Sequence, residues 1–122
     1  MIWRFDTDRP IYVQLVEQMK LRIIAGTYPP GSKLASVRDL AAEAGVNPNT
    51  MQKAMAELER VGLVYTQRTA GRFITEDTDM IQQNKHALAI QEIHDFLRKM
   101  QELGFTREEI LSILEKEEEE TA

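Results

Sequence analysis

The chain of 122 residues is long enough for one compact domain with a short appended piece, and 43% hydrophobic residues supply a core. It has no cysteine, which excludes a disulfide framework, thiol chemistry and a cysteine zinc site. The formal charge of −5 is divided unevenly: residues 1–76 carry ten Lys/Arg against eight Asp/Glu, and residues 77–122 carry five against twelve, so the N-terminal part stays free to meet phosphate.

Arg9-Pro10 opens the first helical pattern, with Asp8 as the candidate cap. Ile11, Tyr12, Leu15, Val16, Met19 and Ile23 recur at three- and four-residue spacing and form one apolar stripe. Gly26 ends it, and Tyr28-Pro29-Pro30-Gly31 reads as a turn. A short helix then begins at Ser36, three residues before Asp39, a carboxylate variant of the capping box; Val37, Leu40, Ala41 and Ala44 form its apolar face and Gly45 closes it. The next helix follows almost at once. Asn47 caps it, Pro48 takes its first position, and Met51, Ala54, Met55 and Leu58 share a face.

After Val61-Gly62 the period changes from 3.6 to 2. Leu63–Gln67 reads as a strand, Arg68-Thr69-Ala70-Gly71 as a tight connection, and Arg72–Thr75 as the returning strand. From about Thr78 the pattern is helical to the end. Ile90, Ile93, Leu97 and Met100 mark a stripe, broadened by Ala89, Phe96 and Leu103. Gly104 breaks it, and Thr106-Arg107-Glu108-Glu109 is a full capping box for a last helix carrying Ile110, Leu111 and Leu114. The acidic run Glu115–Glu120 reads as the solvated end of that helix.

This order of elements is a helix-turn-helix with a wing. The expected fold is α+β, mostly α: a winged helix-turn-helix DNA-binding domain over residues 1–76, then a two-helix dimerisation segment over 77–122. A recognition helix enters the major groove by its N-terminal end, where small polar groups reach base edges and free amides favour phosphate. Asn47, Pro48, Asn49, Thr50, Gln52 and Lys53 offer such a surface, with no carboxylate before Glu57. Acidic residues ordinarily favour a first turn, so their absence fits a polyanionic partner. Ser36 and Arg38 at the start of the short helix stand where this motif crosses the DNA backbone. Arg68 and Arg72 flank a small Thr69-Ala70-Gly71 tip suited to minor-groove or phosphate contact.

The stretch from Gly31 to Ala41, that from Gly45 to Glu59, and Gly62-Leu63-Val64 running to Gly71-Arg72-Phe73-Ile74 resemble the GntR family of bacterial transcription regulators without a gap across residues 10–75. The resemblance implies DNA contact by Arg38, by the residues from Asn47 to Lys53 and by the wing, as a dimer on a palindromic operator. Three positions depart from the family's pattern: Ala35 replaces a usual proline, Gln52 stands where arginine is common, and Thr69 replaces the first wing glycine. The tail of about 46 residues holds two helices and is too small to enclose an ordinary metabolite pocket. It resembles the short YtrA-type branch, which implies a dimerising tail, repression and genes that often neighbour transporters. A long helix with an apolar stripe also needs cover beyond one short partner helix, and a second copy supplies it, so Ile90, Ile93, Phe96, Leu97 and Met100 are the expected homodimer interface.

No enzyme is expected. His86 and His94, eight residues apart, are too far separated to chelate one metal unaided, and no nucleophile–base pair or phosphate loop appears, so no catalytic residue, cofactor or metal site is assigned. The apolar runs fall far short of the ~20 residues that span a bilayer, and the N-terminus reaches Asp6 too early for a secretory signal. A cytoplasmic protein with no membrane partner is the expectation. A winged protein-interaction adaptor is the rival reading, and it would favour an apolar or acidic recognition surface. The sequence identifies no small-molecule effector.

Overall fold

In the computed structural model, residues 2–121 are described, with side chains through 118; Glu119 and Glu120 of the acidic run lie outside the described side chains. The elements run α1 (Ile11–Ile24), α2 (Val37–Ala44), α3 (Pro48–Arg60), β1 (Val64–Gln67), β2 (Gly71–Ile74), α4 (Thr78–Glu102) and α5 (Arg107–Thr121). Residues 1–85 form one compact unit and 86–122 a second, with α4 passing continuously from one into the other. The winged unit therefore includes the first turns of α4, because Ile81 is buried in its core and Met80 covers Gly62.

That core explains the helix spacings. Leu15, Met19 and Ile23 of α1, Leu40 and Ala41 of α2, and Met51, Ala54, Met55 and Leu58 of α3 are all 2% exposed or less. Each large side chain buried this way contributes about 1.5–3 kcal/mol, which holds α3 to α1 and α2 regardless of its polar outer face. Helix α1 departs from its expected stripe at two positions. Ile11 faces outward, and Gln14, four residues before Gln18, lies inside at 3% exposure. The buried amide is fully used: Gln14 accepts from the Asp6 amide at 2.7 Å and donates to the carbonyls of Asp6 and Arg9 at 2.9 Å each. It ties the lead-in to the helix. Asp8 does not cap; Pro10 occupies the cap position without a side-chain hydrogen bond, and no side chain takes over the cap that Asp8 was expected to supply.

The short helices are fixed by local chemistry. Ser36 Oγ accepts from the Asp39 amide at 3.1 Å, one half of the expected box. At the other end Gly45 takes a left-handed conformation at φ +71°, and the Val46 amide reaches back to the Ala41 carbonyl at 3.0 Å, so the chain turns into α3 within two residues. Asn47 Oδ1 then accepts from the Asn49 amide at 2.7 Å.

Strands β1 and β2 pair antiparallel, with Val64 opposite Ile74 and Gln67 opposite Gly71. Tyr65 and Phe73 stack across the pair at 5.7 Å. A third segment joins the sheet. Lys33 bridges to Phe73, with the Leu34 amide donating to Arg72 O and the Ile74 amide to Ser32 O, both at 2.9 Å. The periodic pattern of so short a segment carries no strand signal.

In the second unit, Thr106 and Glu109 exchange both bonds of the capping box, at 3.0 and 3.2 Å. Ile110 is buried, whereas Leu111 and Leu114 remain largely exposed.

Candidate nucleic-acid interface

The start of α2, the middle of α3 and the wing enclose an open groove of about 800 Å³. Six of the expected DNA-facing residues meet there: Ser36, Arg38, Gln52, Arg68, Gly71 and Arg72. Lys33, which the sequence reading left out, lines it too. Its four cations, Lys33, Arg38, Arg68 and Arg72, face no carboxylate among the lining residues. A protein of net negative charge thus concentrates one sign of charge in a single concavity, which attracts a polyanion.

The other expected residues are placed differently. Asn47, Pro48 and Asn49 are exposed at the tip of α3, whose first turn holds no acidic side chain. Thr50 and Lys53 look the other way around the helix, into a shallow hollow of about 600 Å³ shared with Tyr12, Ala56, Glu57 and Arg60. Thr69 is exposed at the wing tip. Gln52 and Lys53, adjacent in sequence, therefore serve different sides of α3.

Arg72 is not a free cation. Its Nε donates to Glu59 Oε1 at 3.0 Å, and the Thr66 hydroxyl donates to the same oxygen. One carboxylate of α3 so holds both wing strands. The Thr66 hydroxyl, and then the Arg72 guanidinium, keep the Glu59 carboxyl below the usual carboxylate range against the opposing effect of partial burial. With its folded-state pKa depressed, this carboxyl contributes stability above the unfolded value near 4.3 and loses it as pH falls through the folded value. Replacement Glu59→Gln is expected to cost about 1 kcal/mol at neutral pH, given the partial exposure of the pair. Urea unfolding should show that cost shrinking as the pH is lowered below the unfolded carboxylate value near 4.3; a cost independent of pH would show that the carboxylate charge does not hold the wing.

His86 and His94 both lie exposed on α4. Among the described residues no group of three His, Asp or Glu side chains is placed to hold a metal ion, and no helix is long and apolar enough to cross a membrane.

Residues 11–74 match the family described as bacterial regulatory proteins, gntR family. The chain belongs to that family. Among curated relatives, the uncharacterized HTH-type transcriptional regulator YhcF of Bacillus subtilis is 40% identical over 108 residues, spanning 88% of this chain and 89% of that protein. The HTH-type transcriptional repressor YtrA of the same organism is 48% identical over 71 residues, 58% of this chain and 55% of YtrA. A solved structure of a GntR family regulator from Listeria monocytogenes superposes with a TM-score of 0.83 at 42% identity, covering 92% of this chain and 98% of that one. The DNA-binding domain of AraR, solved in complex with its operator ORE1, aligns over 62% of this chain and 94% of its own at 26% identity and a TM-score of 0.52. The winged fold and the resemblance to the family and its YtrA-type branch are borne out, and GntR family membership makes this chain a transcriptional regulator with a DNA-binding helix-turn-helix.

Proposed function

We propose that this GntR family regulator is a homodimeric cytoplasmic repressor without enzymatic activity, binding a palindromic operator through the groove between α2, α3 and the wing. The single observation that carries the reading is the groove's charge: four cations line it and no carboxylate does. Arg38 and Arg68 meet the DNA backbone, the exposed start of α3 enters the major groove, and Gln52 reads a base edge. Arg72, held by Glu59, sets the wing's position while lining the same groove. The operator complex of the AraR domain supports this mode of use for the shared fold. A small-residue, polar and basic surface disfavours the adaptor reading, which needs an apolar or acidic face.

Dimerisation is assigned to the second unit. Ile90, Ile93 and Phe96 are 41%, 51% and 41% exposed, and Leu97 and Met100 are half-buried beside them. An apolar cleft of about 460 Å³ runs between Ile93, Phe96 and Leu97 on α4 and Ile110, Leu111 and Leu114 on α5. A second copy covers this surface in a symmetric pair. Regulation of a transporter operon rests on the branch resemblance alone.

Footprinting on DNA flanking its own gene tests the reading. Two protected half-sites are expected, with centres about 10 bp or a multiple apart, and their absence together with salt-insensitive binding would favour the adaptor. On the mapped site, Arg38→Ala and Lys53→Ala should each weaken binding by roughly tenfold with the melting temperature unchanged. Unaltered affinity in both variants would remove the contact assignment.

A further inference from the structure

Lys33 lies outside the helix-turn-helix and outside the wing hairpin, yet its backbone is fixed to the wing. The segment carrying it is hydrogen-bonded to β2 on either side of the Lys33–Phe73 bridge, through Ser32 and Leu34. Its side chain then crosses the first residue of β2. A Cβ built on Gly71 would stand 3.2 Å from Lys33 Cε and 3.9 Å from Nζ. Gly71 therefore does two things: it adopts φ +107°, which side chains resist, and it leaves the space through which the lysine stem passes. The ammonium arrives in the groove shared with Arg38 and Arg68, and among the described residues it has no ion-pair or hydrogen-bond partner. A cation placed beside two further cations, with no carboxylate lining the same concavity, meets its favourable partner only when an anion enters.

We infer that Lys33 is a DNA-phosphate contact delivered through the gap at Gly71, adding a third free cation to the groove beside Arg38 and Arg68. The inference rests on the operator-binding reading above. An ammonium is a compact charge with rotatable donors, suited to a phosphate oxygen and indifferent to base sequence. Lys33 thus contributes affinity and register, and leaves base choice to α3.

The salt dependence of binding tests this, measured by fluorescence anisotropy on two duplexes: one selected by the protein from a random pool, and one scrambled. Between about 50 and 200 mM salt, Lys33→Met should lower the log–log slope by about 0.9 per bound protomer on both duplexes. In about 0.1 M salt this corresponds to roughly eightfold weaker binding per protomer. Lys33→Arg should keep the wild-type slope, and a thermal melt checks that both variants are folded. Gly71→Ala, which displaces the same stem, should add no further slope loss in combination with Lys33→Met. An unchanged slope in Lys33→Met overturns the assignment, as does a loss confined to the selected duplex, which would mark a base contact. These outcomes separate from failure of the underlying reading: a wild-type protein that binds neither duplex in a salt-dependent way removes both, whereas normal wild-type binding with an unaffected Lys33→Met removes only this contact.

Discussion

Glutamate at both Ile93 and Leu97 is expected to leave the protein monomeric and to weaken operator binding by at least about 100-fold. Ile93 is half-exposed in a single chain, and Leu97 lies one turn along on the same face of α4, at the edge of the cleft against α5. A carboxylate at either position would have to be desolvated in a dimer interface, without a cation among the cleft's lining residues except Arg107. The DNA consequence follows from linkage rather than from contact. Once one half-site is bound, a dimer presents the second reading head at high effective concentration, and a monomer loses that gain of 10²–10⁴. Multi-angle light scattering reads the first effect and anisotropy on a two-half-site duplex reads the second. The single variant Ile93→Glu guards against disruption of the α4–α5 packing, since its side chain is the more exposed of the two. A double variant that remains dimeric would place the interface elsewhere, and a monomer of undiminished affinity would show that one winged unit suffices.

What the sequence makes legible here is the chemistry of neighbours. The Ser36 and Asn47 caps, the left-handed Gly45 and the Thr106–Glu109 box each involve groups within three or four residues, and each is found where local rules place it. The buried faces of α2 and α3 follow for the same reason, because periodicity reports which side is apolar. Ile11 and Gln14 escape that logic. Gln14 is inside because the lead-in supplies one amide donor and two carbonyl acceptors for it, a partnership made between residues five and eight apart and invisible to hydrophobic spacing.

The site shows the same division. The positions expected to face DNA were identifiable as polar residues on capped helices and a basic turn, but their grouping was not. Gln52 and Lys53 part company because a helix rotates by about 100° per residue, which puts one beside the wing and the other beside α1. Arg72 reads as a free wing cation until the fold brings Glu59, thirteen residues away, to its guanidinium. Lys33 was hidden for the opposite reason. Its segment is too short to announce itself as a strand, and only the hydrogen bonds to β2 bring it under the wing.

Gln52→Arg is expected to change the preferred base at one position of each half-site from adenine to guanine. Gln52 is exposed on α3 and opens onto the groove beside Arg38 and the wing. A carboxamide both donates and accepts, which matches adenine N6 and N7; a guanidinium only donates, which matches guanine O6 and N7. A bidentate match contributes about 1–3 kcal/mol of discrimination, so the reversal should be roughly 5- to 150-fold in relative affinity between the two bases. Arginine also brings a charge, which raises affinity for every duplex and steepens the salt dependence. The measurement must therefore compare bases at each position within one variant, as selection from a random pool followed by sequencing does, rather than compare affinities between variants. Gln52→Ala supplies the control: it should flatten preference at that same position while leaving the others intact. If the selected sequences of the wild type and Gln52→Arg agree at every position, the base is read by another side chain and Gln52 only lines the groove; a change at a position other than the one flattened by Gln52→Ala would assign the effect to a shifted docking register.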